Sequence, residues 1–334
     1  MTTLSNNVQN LSPTNDAGAS IGPEAGPSTL HLAIPKGRMY DGIVALLGEA
    51  GIRLSASSRG YRPSLSLPGV ETKILKPQNI VEMLHVGSRD VGFAGADWVA
   101  ELRADVVEVL DTGLDRVRVV AAAPRQILED GKLPRRALVV ASELERLTTA
   151  WIDARGEGDR FVRSYGATEV FPPEDADCIV DIAASGATLV ANGLEIVDEL
   201  LVSSTRLYAS RAALRDEAKR GAIEDLALVL ASVLEARKRV MLEVNVPADR
   251  LDAVVAILPC MRQPTISPLH SSERSGGPAG GPAGGLAGGR SGEGERAFAV
   301  KSAVPREKLP KLIPAIKAAG GTDLVISPLA QVVP

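Results

Sequence analysis

Apolar positions along this chain follow two alternating habits. Short apolar runs give way to longer stretches in which apolar residues return at helical spacing. Residues 30–34 (Leu-His-Leu-Ala-Ile) predict a strand, and Pro35-Lys36-Gly37-Arg38 turns the chain. Residues 39–50 predict a helix, with Gly51 where a C-terminal glycine belongs. Residues 72–75 predict a strand, and 77–86 a helix that Pro77 starts. Residues 90–94 read as a strand leading through Gly95-Ala96-Asp97 into a helical stretch over 98–102. Two further strands are expected over 106–110 and 116–123. A second block repeats the habit: strand 137–141, helix 144–155, strand 160–164, strand 178–183 and a helix-like stretch 189–201. Such alternation predicts α/β architecture with largely parallel sheets. Two blocks of it predict two lobes with a ligand cleft between them.

Residues 210–239 are charged and helix-patterned, and beyond them the pattern changes. Residues 240–246 alternate as a half-buried strand does, 247–257 read as a helix, 296–303 as a strand, 305–319 as a helix and 324–326 as a short strand. This βαββαβ-like order predicts a small ferredoxin-like domain. Residues 1–28, rich in Ser, Asn, Gly and Pro, predict a disordered tail. Residues 271–295 carry a Gly-Gly-Pro-Ala near-repeat, which predicts a flexible insert in place of a short connection.

Composition narrows the function classes. A net charge of −4 and 3% aromatic residues argue against nucleic acid, which needs basic surface and stacking platforms. No stretch has the length and apolarity of a membrane helix, so no membrane partner is expected. The first basic residue is Lys36, and residues 1–28 have no apolar core of a secretory signal; the cytoplasm is expected. Cys178 and Cys260 lie far apart in apolar runs and predict buried thiols rather than a disulfide or metal framework. His31, His85 and His270 form no ligand motif and read as structural.

The chemistry concentrates after residue 178. A strand-like run ends in Asp181-Ile182-Ala183-Ala184-Ser185-Gly186-Ala187-Thr188-Leu189. Gly186 lets backbone approach an anion closely, Ser185 and Thr188 donate hydroxyls, and helix-initial amides point outward. Asp181 at the strand end suits ribose hydroxyls or a hydrated Mg²⁺. The bland alternative is a capped strand–helix junction with no ligand.

Several segments together resemble ATP phosphoribosyltransferase. Leu32-Ala33-Ile34-Pro35-Lys36-Gly37-Arg38 looks like the family's first strand and basic turn. Lys76-Pro77-Gln78-Asn79-Ile80 and Asp90-Val91-Gly92-Phe93-Ala94-Gly95-Ala96-Asp97 look like its second signature. Residues 177–189 resemble the loop that holds phosphoribosyl pyrophosphate (PRPP). The C-terminal block, with Pro264-Thr265-Ile266-Ser267-Pro268-Leu269, is similar to the regulatory domain of the family's long form.

The resemblance implies a two-lobed, periplasmic-binding-protein-like catalytic part and a ferredoxin-like (ACT-like) regulatory domain. Lobe I would comprise 30–120 and 205–236, lobe II 121–204 with the PRPP loop, and the regulatory domain 237–334. It implies transfer of the phosphoribosyl group of PRPP to N1 of ATP, with Mg²⁺ as cofactor, as the first step of histidine biosynthesis. Asp181 would face the PRPP ribose, and Ser185, Gly186, Ala187, Thr188 and Leu189 would hold its 5′-phosphate. Lys36, Gly37 and Arg38 would meet pyrophosphate or ATP phosphates, with Lys36, Arg38 and Asp181 as the catalytic set. Lys76 stands where the family has Arg; Asp90 and Asp97 fall on the adenine or Mg²⁺ side, or cap helices. Glu169 is either a proton acceptor at the adenine amino group or a surface carboxylate. Histidine is the implied inhibitor, with Glu243, Asn245, Thr265 and Ser267 as its contacts, and the metal ligands stay open. A homo-oligomer of dimers and hexamers is implied. A cytoplasmic anion-binding protein and an inactive regulatory paralogue are the competing readings.

Overall fold

The computed structural model describes residues 29–55, 60–270 and 296–333. The expected tail over 1–28 and the insert over 271–295 lie outside the described residues. The first half begins with β1 (Leu30–Pro35), α1 (Met39–Glu49), β2 (Leu54–Ser55), β3 (Ser64–Leu65) and β4 (Val70–Leu75). Then come α2 (Pro77–His85), β5 (Val91–Gly95), α3 (Ala96–Leu102) and β6 (Val106–Pro124). The second block holds β7 (Val139–Ser142), α4 (Glu145–Arg155), β8 (Arg160–Arg163), β9 (Cys178–Ala183), α5 (Ala187–Ala191) and β10 (Leu194–Ser210). Helices α6 (Arg211–Arg215) and α7 (Glu217–Lys238) follow the last of these strands.

These strands form one ten-stranded sheet in the order β2-β3-β4-β1-β5-β10-β6-β9-β7-β8. At one end β4, β1 and β5 run parallel; at the other β9, β7 and β8 do. Between them β6 and β10 pair antiparallel from Leu194↔Pro124 to Ser210↔Val106, so both strands cross from one lobe to the other. The result is the two-lobed arrangement. In lobe I, Leu32, Ile34, Val91 and Phe93 pack beneath Ile43, Leu46 and Leu47 of α1 and Ile223, Leu226 and Leu230 of α7. The opposite face packs Ala33 and Ala94 against Ile80, Val81 and Leu84 of α2. Each fully buried Val, Leu, Ile or Phe side chain here contributes roughly 1.5–3 kcal/mol. Lobe II has its own apolar centre around Val119, Ala121, Val140, Cys178 and Val180.

Two expectations need correction. Residues 189–201 are not one helix: α5 stops at Ala191, Asn192 and Gly193 (φ +71°) turn the chain, and Leu194 opens β10. The run Leu194-Glu195-Ile196-Val197 suits an extended strand paired to β6 better than a helix. The strands expected over 106–110 and 116–123 are one strand, interrupted where Gly113 and Asp115 take positive φ.

The C-terminal unit is β11 (Arg239–Pro247), α8 (Leu251–Ile257), β12 (Thr265–Pro268), β13 (Ala297–Pro305), α9 (Leu309–Ala318) and β14 (Thr322–Pro328). Its sheet order, β12-β13-β11-β14 with antiparallel neighbours, is ferredoxin-like. Val240, Leu242, Val244 and Val246 point inward to Val254, Leu312 and Ile316, which leaves the other sheet face open.

Candidate active site

The C-terminal ends of parallel strands gather the polar residues, as in other α/β sheets. Lys36-Gly37-Arg38 follows β1, Lys76 follows β4 and Asp97 follows β5, along one edge of lobe I. Gly37 takes φ +84° and turns the chain sharply, with Lys36 and Arg38 exposed on either side. The two basic residues then diverge. Lys36 joins Arg62, Lys73 and Lys76 around a cavity of about 400 Å³ with no carboxylate among its lining residues. Positive charge is concentrated enough there that the Arg89 charge, desolvation and the Arg62 charge all lower the Lys73 ammonium. Such a cavity suits a polyphosphate.

Arg38 instead lines a small cavity of about 60 Å³ between the lobes, with Asp97, Trp98, Asp115, Val117, Ile182 and Ser203–Thr205. Asp97 is only 4% exposed. Its Oδ1 accepts a hydrogen bond from the Trp98 amide at 2.7 Å, and its own amide donates to Ser203 Oγ at 3.0 Å. Burial raises the Asp97 carboxyl above its usual range, opposed by the Trp98 amide, the Ser203 hydroxyl and the Arg38 charge. Gly95 has to lack a side chain, because a Cβ there would overlap the Asp97 carboxylate.

Lobe II faces this edge. Arg118 of β6 pairs with Ala183 of β9, while Thr205 of β10 pairs with Gly95 of β5. The C-terminal ends of β5 and β9 therefore meet the middle of the crossing strands from opposite sides. Asp181 lies near that end of β9, and Ser185-Gly186 turns into α5 with Gly186 at φ +78°. Ser185 Oγ accepts from the Ala187 amide at 3.3 Å, Gly186 and Leu189 are buried, and Ala187 and Thr188 are exposed. Burial pushes the Asp181 carboxyl up to about 6; the Ile182 amide opposes this, and the Glu169 and Glu143 charges add to it. Among the described residues no cluster of His, Cys, Asp and Glu forms a metal cage. An uncompensated carboxylate with two others nearby nevertheless fits a divalent ion that arrives with phosphate ligands of its own.

Residues 76–232 match the family model of ATP phosphoribosyltransferase, and residues 236–331 match that of the HisG C-terminal domain. The ATP phosphoribosyltransferase of Pelotomaculum thermopropionicum is 35% identical over 310 residues, covering 91% of this chain and 99% of its own length. That of Desulforudis audaxviator is 34% identical over 312 residues, covering 91% and 99%. The chain belongs to the ATP phosphoribosyltransferase family. The second domain match makes it the long form. The ATP phosphoribosyl transferase (HisG:HisZ) complex from Thermotoga maritima, at 26% sequence identity and a TM-score of 0.55, covers 62% of this chain and 98% of the matched one. The activity is that of a pentosyltransferase at the first step of histidine biosynthesis.

Asp90 does not join the site. It precedes β5, at the opposite end of the strand from Asp97, and is 5% exposed. Its carboxylate pairs with Lys219 of α7 at 2.8 Å and accepts from the His31 amide at 2.7 Å. It fastens α7 to the sheet, and that role replaces the expected contact with adenine or Mg²⁺. His85 likewise has a structural partner, the Asp105 amide donating to Nδ1 at 2.9 Å.

The four residues expected to meet histidine lie on the open sheet face of the C-terminal unit, in two rows. Glu243, Lys301 and Thr265 are register partners across three strands, as are Asn245, Ala299 and Ser267. Glu243 pairs with Lys301 at 2.7 Å, and Asn245 Nδ2 donates to Asp323 at 3.2 Å. Thr265 and Lys301 also line a cavity of about 630 Å³ with Met241, Arg262 and Gln263. Sequence reasoning missed Asp115 and the Ser203-Ser204-Thr205 run. Three successive hydroxyls inside an otherwise apolar stretch were the available signal.

Proposed function

We propose that the cleft between the lobes joins N1 of the adenine of ATP to C1 of the PRPP ribose, and that pyrophosphate leaves. One observation carries this reading: Ile182, on the strand that leads into the PRPP loop, lines the same small cavity as Arg38 and Asp97. The strand that feeds the PRPP loop and the nucleotide edge thus meet from opposite lobes, which supports a shared cleft. The adenine lone pair forms the new N–C bond while the C1–O bond breaks and its electrons pass to pyrophosphate. No covalent nucleophile is needed, so positioning and charge stabilisation are the main tasks.

Asp181 faces the ribose hydroxyls, and Ser185, Gly186, Ala187 and Thr188 hold the 5′-phosphate. Lys36 and Lys76 take phosphate oxygens in the cationic cavity, and Arg38 meets phosphate at the cleft. Asp97 orients Arg38 and the adenine side, and Glu169 handles the proton of the adenine amino group. A bound Mg²⁺ would supply neutralisation of charge on the leaving pyrophosphate, and Asp181 would be the carboxylate available to hold it. Residues 30–236 form the catalytic part in this reading, and 237–334 the regulatory domain. Histidine binds the two rows around Glu243 and Asn245 and inhibits; the chain assembles as dimers and hexamers. Two thiols without a disulfide, Cys178 buried and Cys260 half-buried, suit the cytoplasm.

The test mixes the full chain with ATP, PRPP, Mg²⁺ and pyrophosphatase and follows the adenine absorbance band. An N1-substituted adenine chromophore that histidine suppresses is expected. A chromophore indifferent to histidine would overturn the regulatory assignment, and no chromophore from folded chain would overturn the catalytic one.

A further inference from the structure

Helix α4 of lobe II lacks a capping side chain of its own. Its N-cap residue is Leu144, which has no oxygen to offer the free amides of the first turn. The acceptor comes from the other lobe. Glu101 of α3 is 5% exposed, and its carboxylate receives the Arg146 amide on Oε1 and the Leu147 amide on Oε2, both at 3.0 Å. The exchange is reciprocal, because Arg146 Nη1 donates to the carbonyl of Leu102 at the end of α3 at 3.3 Å. One turn earlier, Trp98 packs against the apolar clusters of both lobes. Asp97, four residues before Glu101, lines the cleft. A single short helix of lobe I therefore carries a cleft carboxylate at one end and a cross-lobe cap at the other.

Among the described residues Glu101 has no cationic partner; its charge rests on the amides and the positive end of α4. A buried carboxylate held this way tolerates little displacement. The contact fixes how far α4, and with it lobe II, stands from α3.

We propose that Glu101 is a positioning residue: a helix cap donated across the lobes, which sets the angle at which the nucleotide edge of lobe I meets the PRPP loop of lobe II. The kinetic consequence rests on the cleft chemistry above. The geometric one does not.

The test places spin labels at Glu82→Cys on α2 and Asp153→Cys on α4, both exposed, in a Cys260→Ser background of the full chain. Glu101→Gln keeps the shape but turns an amide donor toward one of the two N–H groups. Arg146→Ala removes the return hydrogen bond without leaving a buried carboxylate bare, and serves if Glu101→Gln does not fold. The native inter-label distance distribution should be narrow, and it should broaden or shift in both variants. In Glu101→Gln kcat should fall about ten-fold or more, as expected when reacting groups are displaced by an ångström or less. PRPP affinity by calorimetry should change less than about two-fold, since its loop belongs wholly to lobe II. Unchanged distance distributions in folded variants would overturn the proposal. So would a fall in kcat matched by equal loss of PRPP affinity at unchanged distance. A native chain without transferase activity whose distances still broaden in Glu101→Gln would support the cap and remove only the reaction assigned to the cleft.

Discussion

The hydroxyl of Ser203 accepts a hydrogen bond from the backbone amide of Asp97 at 3.0 Å, tying the first turn of α3 to a strand that crosses between the lobes. The same hydroxyl helps keep the Asp97 carboxyl ionised against its burial. Ser203→Ala removes that support, so the carboxyl rises further and protonates at higher pH. The acid limb of kcat/KM for ATP should move to higher pH, with activity on the acid side falling more than on the alkaline side. A pH profile of parallel displacement at all values would contradict this.

Asp181 runs against the usual behaviour of a native carboxylate. Its folded value of about 6 stands above the ordinary 3.8, so the folded chain binds more protons than the unfolded chain between them. Stability is therefore lost as pH rises through roughly 4 to 6, at ~1.4 kcal/mol for each pH unit in that window. Asp181→Asn should raise Tm at pH 7.5 and do so less at pH 4.5. It should also lower kcat/KM for PRPP by about 100-fold or more, the usual scale for a lost electrostatic contact at a reacting group. Thermal melts at both pH values and steady-state kinetics check the pair of effects.

Gly186 has φ +78°, and a Cβ there would stand 3.4 Å from Ile196 Cδ1. Gly186→Ala should strain the turn by ~1–2 kcal/mol. KM for PRPP should rise about ten-fold, the equivalent of 1.4 kcal/mol. The KM for ATP, whose contacts lie in lobe I, should hold.

Asp90 tests the opposite case. Asp90→Ala strands Lys219, which is itself mostly buried, and should cost ~3–5 kcal/mol of stability. At a temperature where the variant is folded, kcat should stay within about two-fold of native, since no transition-state contact is lost. Denaturant unfolding and kinetics on one preparation separate the two.

The Glu243–Lys301 pair is half exposed, so Glu243→Ala should change stability by less than ~1 kcal/mol. The histidine concentration for half-inhibition should rise about ten-fold. Inhibition curves at fixed ATP and PRPP measure it.

The alternation of strands and helices was legible because apolar period distinguishes the two directly. The turns around Gly37 and Gly186 were legible because glycine beside basic or hydroxyl residues has few other uses. Residues 189–201 misled because a glycine following Asn192 ends a helix as readily as it decorates one, and the apolar run of β10 has no clean period. Asp90 misled because its partner, Lys219, stands 129 residues further on, beyond the reach of any local pattern. Asp97 and Ser203, or Glu101 and Leu147, are too far apart in the chain for any local pattern to join them.

At the edge of the C-terminal sheet, Pro268 is in register with Phe298, and the Leu269 amide donates to the Ala297 carbonyl at 2.8 Å. The chain therefore departs from this sheet and returns to it at nearly the same point, on the edge strand. Whatever length lies between those anchors alters no pairing elsewhere. Evolution has a free parameter at this hairpin, and an engineer has a ready insertion point for a reporter domain.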